Sequence, residues 1–252
     1  MTAYYNEIDP YAAQWLRNLS AENLIAPGHV DERSIADVTA GDLEGYAQCH
    51  FFAGIGGWSR ALRLAGWADD STVWTGSCPC QPFSEAGERK GVADERHLWP
   101  ELYRLIRQRR PNIVFGEQVA KGSGLVWLDG VRADLESQDY AVGALDLCAA
   151  GIGAPHARQR LYWVSHPEGS QARYANASGR QTEPHQQQPE SSAPARRSAS
   201  AGSRGVRLSE PTIRGVVNGF PGIVEQNSAY GNAIQCDLAA EFVKAAKWAL
   251  TG

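Results

Sequence analysis

Along the first 166 residues, short apolar runs alternate with stretches whose apolar positions recur every three to four residues. That alternation predicts a largely parallel sheet covered by helices on both faces. Tyr4-Tyr5-Asn6-Glu7-Ile8 reads as a strand ending in a carboxylate. Asp9 and Pro10 then supply an N-cap and a first-turn proline, and Tyr11, Ala12, Trp15, Leu16 and Leu19 share one helical face. A second short strand is expected from about Leu24 to Val30, running into Asp31. His50-Phe51-Phe52 enters the glycine-rich turn Ala53-Gly54-Ile55-Gly56-Gly57, and Trp58, Ala61, Leu62 and Leu64 mark the helix after it. Strands are expected again at 72–75, 113–115 and 161–164, with helices near 97–109 and 126–137. Ile234, Leu238, Phe242 and Ala246, four residues apart, predict a terminal helix docked on the body, and no internal repeat is visible.

Between the body and that helix the pattern vanishes. From Pro167 to about Glu210 the chain is rich in Ser, Ala, Gln, Pro, Arg and Gly, and large apolar residues are nearly confined to Tyr174, Val206 and Leu208. Such a segment builds no core. Three regions are therefore expected: a body (1–166), a low-complexity insertion (167–210), and a C-terminal piece (211–252) that returns to the body.

Composition changes this picture at two points. A net charge of −4 argues against a polyanionic partner until the charges are located. Seven arginines against four glutamates between His166 and Arg214 leave +3 there and −7 elsewhere, so the insertion suits a backbone-tracking strap as well as a bland surface loop. The five cysteines, an odd number in a chain of 252 residues, argue against a secreted disulfide framework. With no apolar run long enough to span a bilayer and no secretion signal at Met1-Thr2-Ala3, a cytoplasmic protein is expected.

Four segments carry chemistry. Gly54-Ile55-Gly56-Gly57 is either a cofactor-binding turn or simply a tight strand-to-helix connection. Gly76-Ser77-Cys78-Pro79-Cys80-Gln81-Pro82-Phe83-Ser84 puts thiols on a proline-constrained loop just after a strand. A zinc site is not expected, because Cys49, Cys148 and Cys236 are isolated and no second pair has ligand spacing. A nucleophile is the better reading. Glu117 ends another strand, and Arg158 and Arg160 precede the next, as a catalytic set or as a buried ion pair.

In chain order, these segments resemble the DNA (cytosine-5)-methyltransferase family. Phe52-Ala53-Gly54-Ile55-Gly56-Gly57 is similar to its S-adenosyl-L-methionine (SAM) loop, Pro79-Cys80-Gln81 to its nucleophile motif, and Glu117-Gln118-Val119 to its Glu-Asn-Val. Arg158 and Arg160 match its arginine motif, and Tyr230-Gly231-Asn232-Ala233-Ile234 its terminal Gly-Asn motif. The resemblance implies a SAM-dependent, Rossmann-like α/β methyltransferase fold and double-stranded DNA as partner, with no metal and no membrane; oligomeric state stays open. It implies Cys80 as nucleophile on a flipped cytosine, Glu117 at ring nitrogen 3, Arg158 and Arg160 at the base oxygen, and Pro79, Gln81 and Ser84 around the substrate. Cys78 reads as packing. Phe52 to Gly57 would hold the methionine half of SAM, with Asn232 closing the same pocket.

Two departures from the family pattern matter. Only about twenty residues separate Gly57 from Cys78, too few to hold the family's acidic ribose strand, so Asp69 and Asp70 are not its equivalents. Asn6-Glu7-Ile8-Asp9-Pro10 and Val30-Asp31-Glu32 resemble the missing pieces, which makes the chain look locally permuted: Glu7 at the ribose, Ile8 beside it in the cofactor-binding set, and Asp31 at the adenine amino group. If strand order is kept, the helix after Gly57 must either change faces or make a left-handed crossover. In addition, the insertion stands where the family has a folded recognition domain, so weak or short-site specificity is expected. An RNA cytosine-5 methyltransferase and a non-catalytic DNA-binding relic are the competing readings, and pairing with a restriction enzyme is left open.

Overall fold

The computed structural model describes residues 2–79, 98–120, 122–154, 158–169 and 234–251. They form a seven-stranded sheet with helices on both faces. The strands are β1 (Ala3–Asn6), β2 (Gly28–Asp31), β3 (Gln48–Phe51), β4 (Val73–Gly76), β5 (Val114–Val119), β6 (Tyr140–Cys148) and β7 (Gln159–Pro167). The helices are α1 (Pro10–Ala21), α2 (Gly57–Leu64), α3 (Trp99–Arg109), α4 (Gly122–Glu136) and α5 (Cys236–Thr251). Across the sheet the order is β2-β1-β3-β4-β5-β7-β6, with β7 antiparallel to both its neighbours and β1 to β5 parallel.

Side-chain alternation sorts the core into two faces. Tyr4, Cys49, Phe51, Trp74, Val114 and Trp163 face α3, α4 and the 3-10 turn at Ile35–Asp37. On the other face, Tyr5 and Val30 meet α1, while Val73, Phe115 and Tyr162 meet α2 and α5. Asp9 caps α1 by accepting from the backbone N–H groups of Tyr11 and Ala12, with Pro10 in the first turn. In α5, Leu238, Phe242 and Ala246 are buried against α2, as their four-residue spacing predicts.

The crossover after the glycine turn has an unusual hand. α1 and α2 lie on the same face, yet α1 carries the chain from β1 outward to β2 and α2 carries it the opposite way, from β3 to β4. Opposite directions over one face mean opposite hands. α3 joins β4 to β5 in the same direction as α2 but over the other face, and so shares the hand of α1. With those two in the usual right-handed sense, the β3-α2-β4 connection is left-handed. Of the two expected alternatives, the topology matches the left-handed crossover.

The sequence reading misplaces two strands. β2 begins at Gly28, because Ile25 and Ala26 are buried against α1 and β1 and do not join the ladder. β6, the outer strand, was not expected at all: Ala141, Gly143 and Ala144 break its alternation, and Leu145 faces solvent. Among the described residues no helix is long and apolar enough to cross a membrane.

Candidate functional site

The register brings the chemistry to one edge of the sheet. Asn6 pairs with Asp31 and Phe51, Phe51 with Gly76, Gly76 with Gly116, and Val119 with Arg160. Glu7, Phe52, Ser77, Glu117 and Arg160 therefore all lie at or just beyond the carboxyl ends of the parallel strands, where open α/β sheets bind ligands.

Next to β1, the glycine turn has a backbone that few side chains permit. Phe52, Gly54 and Gly56 adopt φ values of +52°, +54° and +82°, in the left-handed region. A Cβ on Gly54 would meet nothing within 4 Å, so that side of the turn is open. Ala53 N–H donates to Asn6 O (3.1 Å) and Gly56 N–H to Ala53 O (3.0 Å), which closes the turn onto β1. Glu7 completes the arrangement: Gly54 N–H donates to its Oε2 (2.7 Å) and Asp9 N–H to its Oε1 (2.9 Å). A carboxylate with each oxygen singly engaged still has lone pairs for a diol, and beside it Ile8 is 65% exposed as an apolar wall. This fits the ribose and adenosine end of SAM. Asp69, by contrast, is taken up by Arg63, which donates from Nε and Nη2 at 3.0 and 2.7 Å.

Asp31 departs from its expected part. Its side chain is only 6% exposed, and both oxygens are engaged. Oδ1 accepts from the backbone N–H and Nε of Arg33 (2.9 and 3.1 Å); Oδ2 accepts from Tyr4 OH and Arg33 Nη2, each at 2.6 Å. Burial alone would raise this carboxyl, but the bonds from Arg33 and Tyr4 outweigh it and hold it at about 2. A direct contact to an adenine amino group therefore has no open oxygen to use, and Arg33 is the group Asp31 presents.

At the centre of the edge, Glu117 and Arg160 meet. Arg160 Nε stands 2.7 Å from Glu117 Oε1, an ionic contact off the hydrogen-bond direction, and Glu117 is 9% exposed. Burial pushes the Glu117 carboxyl above its usual range, against the pull of Arg160 and Arg158. For Arg158, burial and the neighbouring Arg160 depress the guanidinium. Burial outweighs the pull of the two cations, so the acid retains a proton more readily than in water.

The residues just before Cys80 lie beside this pair. Gln118 Nε2–H donates to Cys78 O (3.3 Å), and Trp58 Nε1–H to Ser77 Oγ (3.0 Å). Cys78 is buried in the core, in keeping with a packing role, and Pro79 is exposed. Cys80, Gln81, Ser84 and Asn232 lie outside the described residues, as does most of the 167–210 insertion. Ile234, just after the Gly-Asn motif, packs so closely on Gly57 that a Cβ there would come within 2.1 Å of its Cγ2. The C-terminal segment thus docks on the glycine turn. Among the described residues no cluster of His, Cys, Asp and Glu could hold a metal.

Sequence reading missed Trp58, Ser77, Arg33 and Tyr4. The Tyr4–Asp31 and Trp58–Ser77 contacts depend on which elements become neighbours, while Arg33 folds back on Asp31 two residues away.

Known proteins resemble the chain over part of its length. The chain is 32% identical over 99 residues to the type II methyltransferase M.HhaI of Haemophilus parahaemolyticus, covering 38% of this chain and 30% of that one. It is 28% identical over 154 residues to M.AplI of Arthrospira platensis, covering 46% and 44%. The chain thus matches less than half the length of either relative. A solved Spodoptera frugiperda DNMT2 mutant aligns at 16% identity with a TM-score of 0.45, covering 66% of this chain and 43% of that one. The sequence profile of the C-5 cytosine-specific DNA methylases matches residues 68–218, more than half of the chain, and the protein belongs to that family.

Proposed function

We propose that this protein transfers a methyl group to carbon 5 of cytosine in double-stranded DNA, through a cysteine adduct on a flipped base. The observation that carries the reading is the buried Glu117–Arg160 pair, set at the same sheet edge as the glycine turn and the loop leading to Cys80. Carbon 5 of cytosine is a poor nucleophile, so attack on carbon 6 must come first. The Cys80 thiolate adds to carbon 6 of a base turned out of the duplex. Glu117, its carboxyl raised by burial, donates its proton to ring nitrogen 3 as the adduct forms. Arg160, with Arg158 beside it, holds oxygen 2 and balances the charge that develops on the ring. Pro79, Gln81 and Ser84 shape the loop around the base. Once carbon 5 carries the methyl group, loss of its proton to solvent re-forms the 5,6 double bond and expels the Cys80 thiolate, and the proton on nitrogen 3 returns to Glu117.

When bound, SAM supplies the methyl group. Glu7 would take its ribose hydroxyls, Ile8 its adenine face, and the backbone from Phe52 to Gly57 its methionine half, with Asn232 from the docked C-terminal segment. Asp31 shapes the adenine end through Arg33 and does not bond the amino group itself. Placing Glu7 and Asp31 ahead of the glycine turn in the chain, yet beside it in the sheet, is the rearranged order proposed for this protein. The strand order β2-β1-β3-β4 supports it.

The test uses duplex DNA containing 5-fluorocytosine, whose carbon 5 has no proton to lose. Incubated with SAM, the full chain should give a complex that survives denaturation. No complex on duplex DNA, with one on tRNA, would transfer the reading to RNA; none on either would leave only a binding protein. For the cofactor site, Glu7→Ala should weaken SAM binding by at least about tenfold, the scale of a charged hydrogen-bonding pair. Asp69→Ala should change it by less than about twofold, as calorimetric titration would show. The reverse ranking would overturn the rearranged order.

A further inference from the structure

Between the end of β4 and Cys80, the chain is held from both sides. Trp58, the second residue of α2, donates its indole N–H to Ser77 Oγ at 3.0 Å. Its ring is buried against Phe115 (centroids 6.0 Å, stacked) and edge-on to Tyr162 (6.1 Å), so packing aims the N–H independently of its acceptor. From the other side, Gln118 of β5 donates to Cys78 O at 3.3 Å. Its Oε1 accepts from Val119 N–H at 2.9 Å, which fixes the carboxamide the right way round for that donation. One residue is thus tied to the helix that opens at the glycine turn, and the next to the strand that carries Glu117.

Resting on the methyl-transfer reading, we infer that Trp58 and Gln118 are positioning residues: a two-sided clamp on Ser77 and Cys78 that sets where the chain delivers the Cys80 thiol. Neither touches substrate. The Trp58 arm makes the thiol's position depend on the seating of the cofactor turn, because Trp58 stands two residues from Gly56, whose left-handed backbone starts α2. The Gln118 arm makes it depend on the acid, because Gln118 follows Glu117 directly. Nucleophile, acid and cofactor turn are thereby held to one another, and reactions of this kind lose rate steeply when reacting groups shift by about 1 Å.

The test compares wild type with Trp58→Phe, Ser77→Ala, their double variant and Ser77→Thr. Two quantities are read: the trapping rate on 5-fluorocytosine DNA at saturating SAM, and the SAM concentration giving half that rate. Trp58→Phe keeps an aromatic ring but removes the donor together with part of the ring volume, and Ser77→Ala removes the acceptor alone. Each single variant should trap about five to ten times more slowly, the scale of one hydrogen bond, with half-saturation moved by less than about twofold. The double variant should be no slower than the worse single one, since both remove the same bond. Ser77→Thr, which keeps the hydroxyl, should return to near the wild-type rate. Unchanged trapping, multiplying effects in the double variant, or a change confined to half-saturation would each overturn the clamp. Alkylation of Cys80 by iodoacetamide, followed by mass spectrometry without DNA or SAM, separates the clamp from the reaction. Ser77→Ala and Gln118→Leu should alter that rate, and equal rates in all variants would overturn the clamp whether or not wild type traps DNA.

Discussion

Cys80→Ser is expected to abolish the covalent complex with 5-fluorocytosine DNA and to lower methyl transfer by roughly 10⁴-fold or more, the scale on which enzymes lose rate when a nucleophile is removed. A thiol is a few per cent thiolate near neutrality and intrinsically nucleophilic, whereas a serine hydroxyl in the same place stays protonated unless a dedicated base removes its proton. Cys78→Ala is the control. Its side chain is buried in the core cluster, out of reach of a ligand at the sheet edge. That variant should keep the complex and lose only some stability from the small cavity. Denaturing electrophoresis of trapped DNA reads both outcomes. A complex retained by Cys80→Ser and lost by Cys78→Ala would reverse the assignment of the nucleophile.

Glu117→Gln should lower the rate by about 10²- to 10⁴-fold, the usual contribution of a positioned general acid. It should also change the shape of the pH profile. In wild type, burial raises the Glu117 carboxyl, so the group stays protonated over a wider range than a free glutamate. As pH rises through that raised value, the proton needed at ring nitrogen 3 is lost and the rate falls. Glutamine has no such proton to lose, so the decline due to this group should be missing from the variant's residual activity. Single-turnover rates across pH, at saturating DNA and SAM, would show it. An identical alkaline decline in Glu117→Gln would assign that limb to another group and remove Glu117 from its role as acid.

Much of the fold was legible because its strands are short apolar runs and its helices carry a buried stripe. The strands β1, β3, β4 and β5 and the helices α1, α2 and α5 stand close to where periodicity puts them. β6 escaped notice because an outer strand with glycine and alanine along it has little alternation to offer. At the site, Glu117 and Arg160 could be paired from sequence, since both flank apolar strands that meet in the sheet. The engagement of Asp31 could not. Tyr4 lies 27 residues away on the neighbouring strand, and Arg33 turns back on its own loop, so the saturation of that carboxylate emerges only once β1 and β2 are side by side. The same holds for Trp58 and Ser77, which are brought together by the left-handed step between β3 and β4.

The docking of Ile234 on Gly57 fixes the far end of an interval whose near end is β7. β7 ends at Pro167, at the amino edge of the sheet, while the chain re-enters at the opposite edge against the glycine turn. Both anchors belong to the packed body, and α5 secures the second through Phe242, Val243 and Leu238. The entropic penalty for closing a chain between two fixed points grows only with the logarithm of its length, about 0.6 kcal/mol for each doubling. Burying a single phenylalanine contributes more, about 1.5–3 kcal/mol. Changing the length of the interval between the two anchors is therefore expected to cost little stability, because the packed body holds each anchor independently of what joins them.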